Sequence, residues 1–96
     1  MSNYTANVRG MNFRPEEARQ IAFNLQSEDK VKLVREPSNP HDENAIAVMV
    51  QGNHIGYVAK EIAALAASEM DAAGVGEIEG SVDIVFGKSI IINFAT

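Results

Sequence analysis

Two hairpin signals constrain the fold of this chain more than any other feature of its sequence. One lies at Gln51-Gly52-Asn53 and the other at Gly87-Lys88. A glycine-containing turn between two β-prone segments is typical of an antiparallel hairpin. Because a hairpin joins strands that are neighbours in one sheet, the chain is predicted to be mainly antiparallel and not doubly wound. The predicted strand pairs are 45–50 with 54–58, and 77–86 with 89–94.

Two helices are predicted from apolar residues that recur at helical spacing. The first starts at Pro15, a residue suited to the first helical position, and ends near Gln26. The second runs from about Ala59 to Ala73, with Gly74 placed to end it. The predicted buried stripes are Ala18, Ile21, Ala22 and Leu25 in the first helix, and Ile62, Leu65, Ala66, Met70 and Ala73 in the second.

Strands are also predicted at 4–8 and 31–35, so the element order is β-α-β-β-β-α-β-β. Six short strands with hairpin connections and two helices predict a mainly β (α+β) fold, either an antiparallel sheet or a small barrel closed by the helices. The length of 96 residues predicts one domain spanning 1–96.

The composition excludes several classes of protein. The chain has no cysteine, which rules out disulfides and thiolate zinc sites. No signal peptide and no apolar segment of membrane-spanning length is visible, so we expect a soluble, cytoplasmic protein without a membrane partner.

The charge is unevenly distributed along the chain. The net charge is −5, yet residues 1–35 hold six Lys or Arg against four Asp or Glu, a balance of +2, which leaves −7 for the remainder. An acidic chain is a poor general binder of nucleic acid. An uneven distribution nevertheless permits a local positive site on an acidic body.

One run of residues resembles a known family. The sequence REPSNPHDENAI at 35–46, followed by Gly52 and by IGYV at 55–58, is similar to the signature of the HIRAN domain family. The resemblance implies an OB-like, six-stranded antiparallel β-barrel with two helices. It also implies recognition of the 3′ end of single-stranded DNA, in DNA repair or replication-fork processing.

Larger HIRAN proteins join this domain to an ATP-driven helicase or remodelling engine, which this sequence lacks. We therefore expect a free-standing binding domain that is not an enzyme and needs no cofactor. Its expected partners are a single-stranded DNA 3′ end and a separately encoded helicase or nuclease.

The resemblance assigns DNA-binding roles to individual residues. Asp42 would accept a hydrogen bond from the terminal hydroxyl, aromatic rings would stack on bases, and Lys60 would meet a phosphate at a helix N-terminus. Asn12 stands where relatives have a basic residue, and Arg14 or Arg9 are the candidates to compensate for it. The primary candidates are Phe13, Asn39, His41, Asp42, Tyr57 and Lys60, and the secondary ones are Asn12, Arg14 and Lys88.

The residues themselves leave alternatives open. Asn39 and Asp42 are also typical loop-holding residues, and an aromatic residue such as Phe13 is more often part of a core than a platform for a ligand. Arg35 is expected to pair with an acid and act structurally. A protein-interaction domain with the same fold and little DNA affinity is the main alternative function. A metal-dependent phosphodiesterase using His41, Asp42 and His54 is remote, because their spacing matches no known ligand motif.

Overall fold

The structure, a computed structural model, describes residues 2–96 and contains six strands, two α-helices and a short 3-10 helix. In chain order these are β1 (Asn3–Arg9), the 3-10 helix (Met11–Phe13), α1 (Glu16–Phe23), β2 (Lys30–Arg35), β3 (Ile46–Val50), β4 (Asn53–Val58), α2 (Lys60–Ala72), β5 (Glu77–Phe86) and β6 (Ser89–Ala95).

The strands close into a barrel in the order β1-β4-β3-β2-β5-β6, and every neighbouring pair is antiparallel. This confirms the predicted fold class and both predicted hairpins. The turn between β3 and β4 has positive φ at Gln51 and Gly52, as a two-residue hairpin turn of the type I′ class requires. Closure gives every strand a neighbour on both sides, although β1 and β4 pair only at Val8–Val58 and Arg9–Tyr57.

The barrel interior is filled by branched apolar side chains from alternate strand positions. The strand residues that are almost fully buried are Leu33, Ile46, Val48, Ile55, Val82, Ile90 and Ile92. Each such side chain contributes about 1.5–3 kcal/mol when it leaves water. The outward strand positions are therefore free to carry polar and charged groups without loss of the core.

The second helix buries part of the predicted stripe: Ala66 and Met70 are buried and Ile62 packs against the core, as predicted. Leu65 is 58% exposed and Ala73 is exposed, so their assignment to the buried stripe was wrong. The small side chains of the true stripe let α2 lie against β1 and β4, which it contacts. Alanines carry little hydrophobic signal, so the larger Leu65 dominated the apolar pattern from which the buried stripe was predicted. The buried residues are Ala63, Ala66, Ala67 and Met70.

The first helix is shorter than predicted, because it ends at Phe23 and not near Gln26. The Asp29 carboxylate accepts the backbone N–H of Gln26 at 2.8 Å, and Glu28 has a φ of 73°, so the chain turns here toward β2. Leu25 is buried as predicted, but it lies in the turn that follows α1 and not in the helix. Within residues 2–96, neither helix is long and apolar enough to span a membrane.

A terminal cluster joins the two ends of the described chain to α2. The Glu69 carboxylate accepts hydrogen bonds from Ser2 Oγ at 2.8 Å, Tyr4 Oη at 2.6 Å and Thr96 Oγ1 at 2.7 Å. The Tyr4 ring stacks on Phe94 with centroids 5.3 Å apart. These bonds, the Tyr4 bond first, lower the pKa of Glu69 to about 2. The cluster therefore holds the β1–β6 pair and α2 together.

Candidate nucleic-acid interface

All but one of the predicted site residues lie around two cavities that share one residue, Arg9. The first, here the loop cavity, has a volume of about 290 Å³, and the second, the hairpin cavity, about 220 Å³. The loop cavity is lined by Arg9, Asn39, His41, Asp42, Ala45, Tyr57, Val58 and Lys60, and the hairpin cavity by 7–13 with Lys88 and Ser89.

The structure thus brings five of the six primary candidates to the loop cavity and places the sixth, Phe13, at the hairpin cavity with Asn12 and Lys88. Arg14, the remaining candidate, lines neither cavity. Its Nε donates to the backbone oxygen of His54 at 2.8 Å. Arg14 therefore contributes to the scaffold beside the site.

The loop between β2 and β3 is organised by Asn39. Its Oδ1 accepts the backbone N–H groups of His41 at 2.8 Å and Asp42 at 3.2 Å, while its Nδ2 donates to Glu36 Oε1 at 3.0 Å. Short side-chain to backbone bonds of this kind fix a turn. Asn39 therefore shapes the cavity wall, and its polar atoms are largely used inside the protein.

Arg35 anchors the far end of the same loop. Its guanidinium forms a two-bond pair with Asp71 of α2, at 2.9 Å for each bond, and donates to the backbone oxygens of Ala45 at 2.7 Å and Glu43 at 3.0 Å. The hydrogen bonds from Arg35 lower the pKa of the Asp71 carboxyl. This confirms the predicted structural role of Arg35. The loop is consequently fixed at both ends before any ligand arrives.

A β-bulge turns Tyr57 out of the barrel. Val48 of β3 pairs with Gly56, whereas the next residue, Met49, pairs with His54, so Ile55 is an extra residue on β4. A bulge of this kind reverses which residues face inward beyond it. Tyr57 therefore pairs with Ala47 and faces the same side as the loop, where it lines the loop cavity.

The Tyr57 ring is held in position by its neighbours. Its hydroxyl donates to Glu36 Oε1 at 2.9 Å, and the His54 ring packs edge-on against it with centroids 4.6 Å apart. Partial burial and the Glu36 bond raise the pKa of Tyr57, so the phenol is neutral at physiological pH. Burial and the charge of Arg14 lower the pKa of His54. What Tyr57 offers to a ligand is thus the face of its ring.

Asp42 combines a structural bond with a free oxygen. Its Oδ1 accepts the backbone N–H of Asn44 at 2.9 Å, as the loop-holding alternative predicted. Within residues 2–96, Oδ2 has no hydrogen-bond donor. One carboxylate oxygen therefore remains available to accept a hydroxyl proton in the loop cavity.

Phe13 is a surface residue and not a core residue. It ends the 3-10 helix, an element that the sequence did not predict, and its side chain is 89% exposed. Gly10, with a φ of 79°, turns the chain from β1 into this helix. An aromatic ring left this exposed lies ready for stacking.

The basic residues divide into two groups. Five of the eight Lys and Arg residues have an internal partner within residues 2–96. Lys30, Lys32 and Arg35 form ion pairs, and Arg14 and Arg19 donate hydrogen bonds to backbone oxygens. The other three, Arg9, Lys60 and Lys88, make no such bond within the described chain, and all three line the two cavities. Asp42 is the only acidic residue among those lining residues.

The residues that line the two cavities thus carry three cations and one carboxylate, on a protein that is acidic as a whole. Lys60 begins α2, as the prediction of a helix N-terminus required, so its charge adds to that of the helix end. Arg9 was predicted only as a candidate to compensate for Asn12, and not as a site residue in its own right. Its basic character was visible in the sequence, but its position opposite Tyr57 depends on the strand register.

No metal centre is formed by the described residues. Within 2–96, no three His, Cys, Asp or Glu side chains lie close enough to hold one ion. His54 Nε2 lies 2.8 Å from the backbone oxygen of Gly56, whereas His41 is exposed on the loop. The three residues of the phosphodiesterase alternative are not assembled.

Comparisons with known proteins match most of the described chain. The sequence matches the model of the HIRAN domain over residues 2–94. It is 48% identical to rabbit (Oryctolagus cuniculus) helicase-like transcription factor over 59 residues and 44% identical to the mouse (Mus musculus) protein over 66 residues. These regions cover 60% and 68% of this chain but 6% of each relative.

Two crystal structures have the same fold. The HIRAN domain of human HLTF is 30% identical, with a TM-score of 0.71 over 96% of this chain and 72% of that one. A protein from Lactobacillus plantarum has a TM-score of 0.79 over 96% and 94% of the two chains. At 22% identity, this second likeness shows the fold alone.

Proposed function

The chain belongs to the HIRAN domain family, and from this premise we propose that it binds the 3′ end of single-stranded DNA. HIRAN domains are DNA-binding domains and not catalytic ones. The proposed setting is DNA repair or replication-fork processing, with a separately encoded helicase or nuclease as the protein partner.

The observation that carries the proposal is the position of the uncommitted cations. Arg9, Lys60 and Lys88 are the basic residues without an internal partner in 2–96, and they surround two cavities that also present the Tyr57 and Phe13 rings. Cations with interleaved aromatic rings are what single-stranded DNA binding requires. The protein has a net charge of −5, and the stability of its fold does not require the three free cations to lie together around these cavities.

End recognition is supported by the chemistry of the loop cavity. Its one carboxylate, Asp42, has an open oxygen that accepts a hydroxyl but repels a phosphate. Asn39 and Arg35 fix the loop around it, so binding needs little ordering of the protein. A 3′-hydroxyl is the group on a DNA strand that suits such an oxygen.

A titration with matched oligonucleotides tests the proposal. Fluorescence anisotropy would compare one single-stranded sequence with a 3′-hydroxyl, with a 3′-phosphate, and with the same phosphate moved to the 5′ end. We expect the 3′-phosphate to weaken binding by about 1–3 kcal/mol and the 5′-phosphate to change it little.

The matched variant is Asp42→Asn, because it keeps the oxygen that accepts the Asn44 N–H and removes the charge. It should bind both 3′ ends with similar affinity. Equal binding of both ends by the unmodified protein would reject end recognition. Absence of any oligonucleotide binding would favour the protein-interaction alternative, for which Phe86, 77% exposed on the outer face of the barrel, is a contact candidate.

A further inference from the structure

Arg9 is the residue that the two cavities have in common. It is the last residue of β1, and its Cα partner across the strand pair is Tyr57. Side chains at directly opposite positions lie on the same face of a sheet, with Cβ atoms about 4.5–5.5 Å apart. The Arg9 guanidinium thus extends from beside the Tyr57 ring.

A close approach of two strands fixes this position. A Cβ added to Gly56 would lie 2.6 Å from the backbone oxygen of Arg9 and 2.7 Å from Val8 Cγ1. Only glycine therefore allows β1 to sit this close to β4. The backbone that carries Arg9 is consequently packed closely against β4, although the Arg9 side chain is exposed and unpaired within residues 2–96.

The contents of the two cavities suggest what Arg9 binds. The loop cavity offers Asp42 and Tyr57 to a terminal nucleoside, and the hairpin cavity offers the exposed Phe13 ring to the nucleotide before it. Two nucleotides held in neighbouring cavities are joined by one phosphodiester, which must pass the residue between them. A guanidinium fork matches phosphate oxygens in both charge and geometry.

We propose that Arg9 binds the phosphodiester between the last and the penultimate nucleotide of the bound strand. The inference rests on the proposed function and extends it, because it makes a dinucleotide the smallest complete ligand. It also supplies the basic group that Asn12 lacks in the hairpin cavity. Lys60 and Lys88 then lie on either side of this linkage, one in each cavity.

The experiment pairs a change in the protein with a change in the DNA. Anisotropy titrations would use a 3′-hydroxyl oligonucleotide carrying one neutral methylphosphonate, either at the last linkage or five linkages further from the end. With unmodified protein, the modification at the last linkage should weaken binding about tenfold, and the distant one should have little effect.

Arg9→Gln should lose about the same affinity with unmodified DNA and should no longer respond to the terminal methylphosphonate. Its salt dependence, the slope of log K against log salt, should also be shallower by about 0.7. Lys32→Gln is the matched control, since it removes one positive charge outside both cavities and should behave like the unmodified protein.

The outcomes separate this inference from the function on which it rests. If the protein distinguishes 3′-hydroxyl from 3′-phosphate ends but Arg9→Gln binds normally, the role of Arg9 is wrong and end recognition stands. If Arg9→Gln is weakened but still responds fully to the terminal methylphosphonate, Arg9 acts elsewhere and the inference is again rejected. If the unmodified protein binds no oligonucleotide, both are overturned.

Discussion

Two tyrosine–glutamate pairs lie on different parts of the barrel and differ in what surrounds them. In the terminal cluster, Tyr4 donates to Glu69 at 2.6 Å, and in the loop, Tyr57 donates to Glu36 at 2.9 Å. Glu69 collects two more hydroxyl donors, Ser2 and Thr96, and the Tyr4 ring stacks on Phe94. The Tyr4 and Phe94 rings also line a cavity, but the one cation lining it, Lys30, is paired with Glu79.

The loop pair has a different organisation. Glu36 accepts from Tyr57 and Asn39, but the Tyr57 ring borders an open cavity with the uncommitted Arg9 and Lys60. The hydrogen bond holds the ring and leaves its face open. The Tyr4–Glu69 pair thus helps to hold the ends of the barrel together, whereas the Tyr57–Glu36 pair holds an aromatic ring at the candidate binding surface.

The largest effect should come from breaking the packing beneath the terminal cluster. Met70, next to Glu69 on α2, is fully buried, so Met70→Ala should lower the free energy of unfolding by about 2–5 kcal/mol. Leu65→Ala, on the exposed face of the same helix, should change it by less than about 0.5 kcal/mol. Chemical denaturation of both variants measures the contrast. Equal losses would mean that α2 packs through another face.

A smaller effect should appear when the terminal cluster is titrated. The folded pKa of Glu69, about 2, lies below its ordinary value of 4.5, so the stability it adds is present above pH 4.5 and is lost as the pH falls toward 2. Glu69→Gln should therefore lower the melting temperature at neutral pH. The difference from the unmodified protein should narrow as the pH falls from 4.5 toward 2.

Thermal melts across that pH range provide the measurement, and oligonucleotide affinity at neutral pH is the control. Because the cluster is open to solvent, the shift in melting temperature should be modest. A difference that stays constant with pH would show that the carboxylate charge of Glu69 is not what stabilises the cluster. A loss of DNA affinity would show that the two regions are not separate.

The local signals predicted the architecture well. The turns at Gln51-Gly52 and Gly87-Lys88 lie between the strands they were expected to join, because a hairpin is specified by adjacent residues. The loop candidates Asn39 and Asp42 also assembled with Tyr57, as the family resemblance implied. What could be predicted is what a short stretch of chain determines by itself.

The remainder depended on long-range geometry. The bulge at Ile55, which turns Tyr57 outward, has no distinct sequence signal, and the position of Arg9 opposite Tyr57 follows only from the strand register. The Tyr4–Glu69 bond joins residues 65 positions apart. Leu65 was wrongly predicted to be buried because the buried stripe of α2 is rich in alanine. With so weak an apolar signal, tertiary packing and not the sequence pattern decides which face of the helix turns toward the barrel.

The central claim is that the Tyr57 ring is a binding surface rather than a structural support. Anisotropy titration of a 3′-hydroxyl oligonucleotide against Tyr57→Ala and Tyr57→Phe tests it most directly, with each variant shown to be folded by its thermal melt. We predict that Tyr57→Ala loses about 1–3 kcal/mol of binding while its melting temperature falls by only a few degrees. Tyr57→Phe keeps the ring and should bind nearly as well as the unmodified protein. Unchanged DNA binding by a folded Tyr57→Ala would contradict the claim.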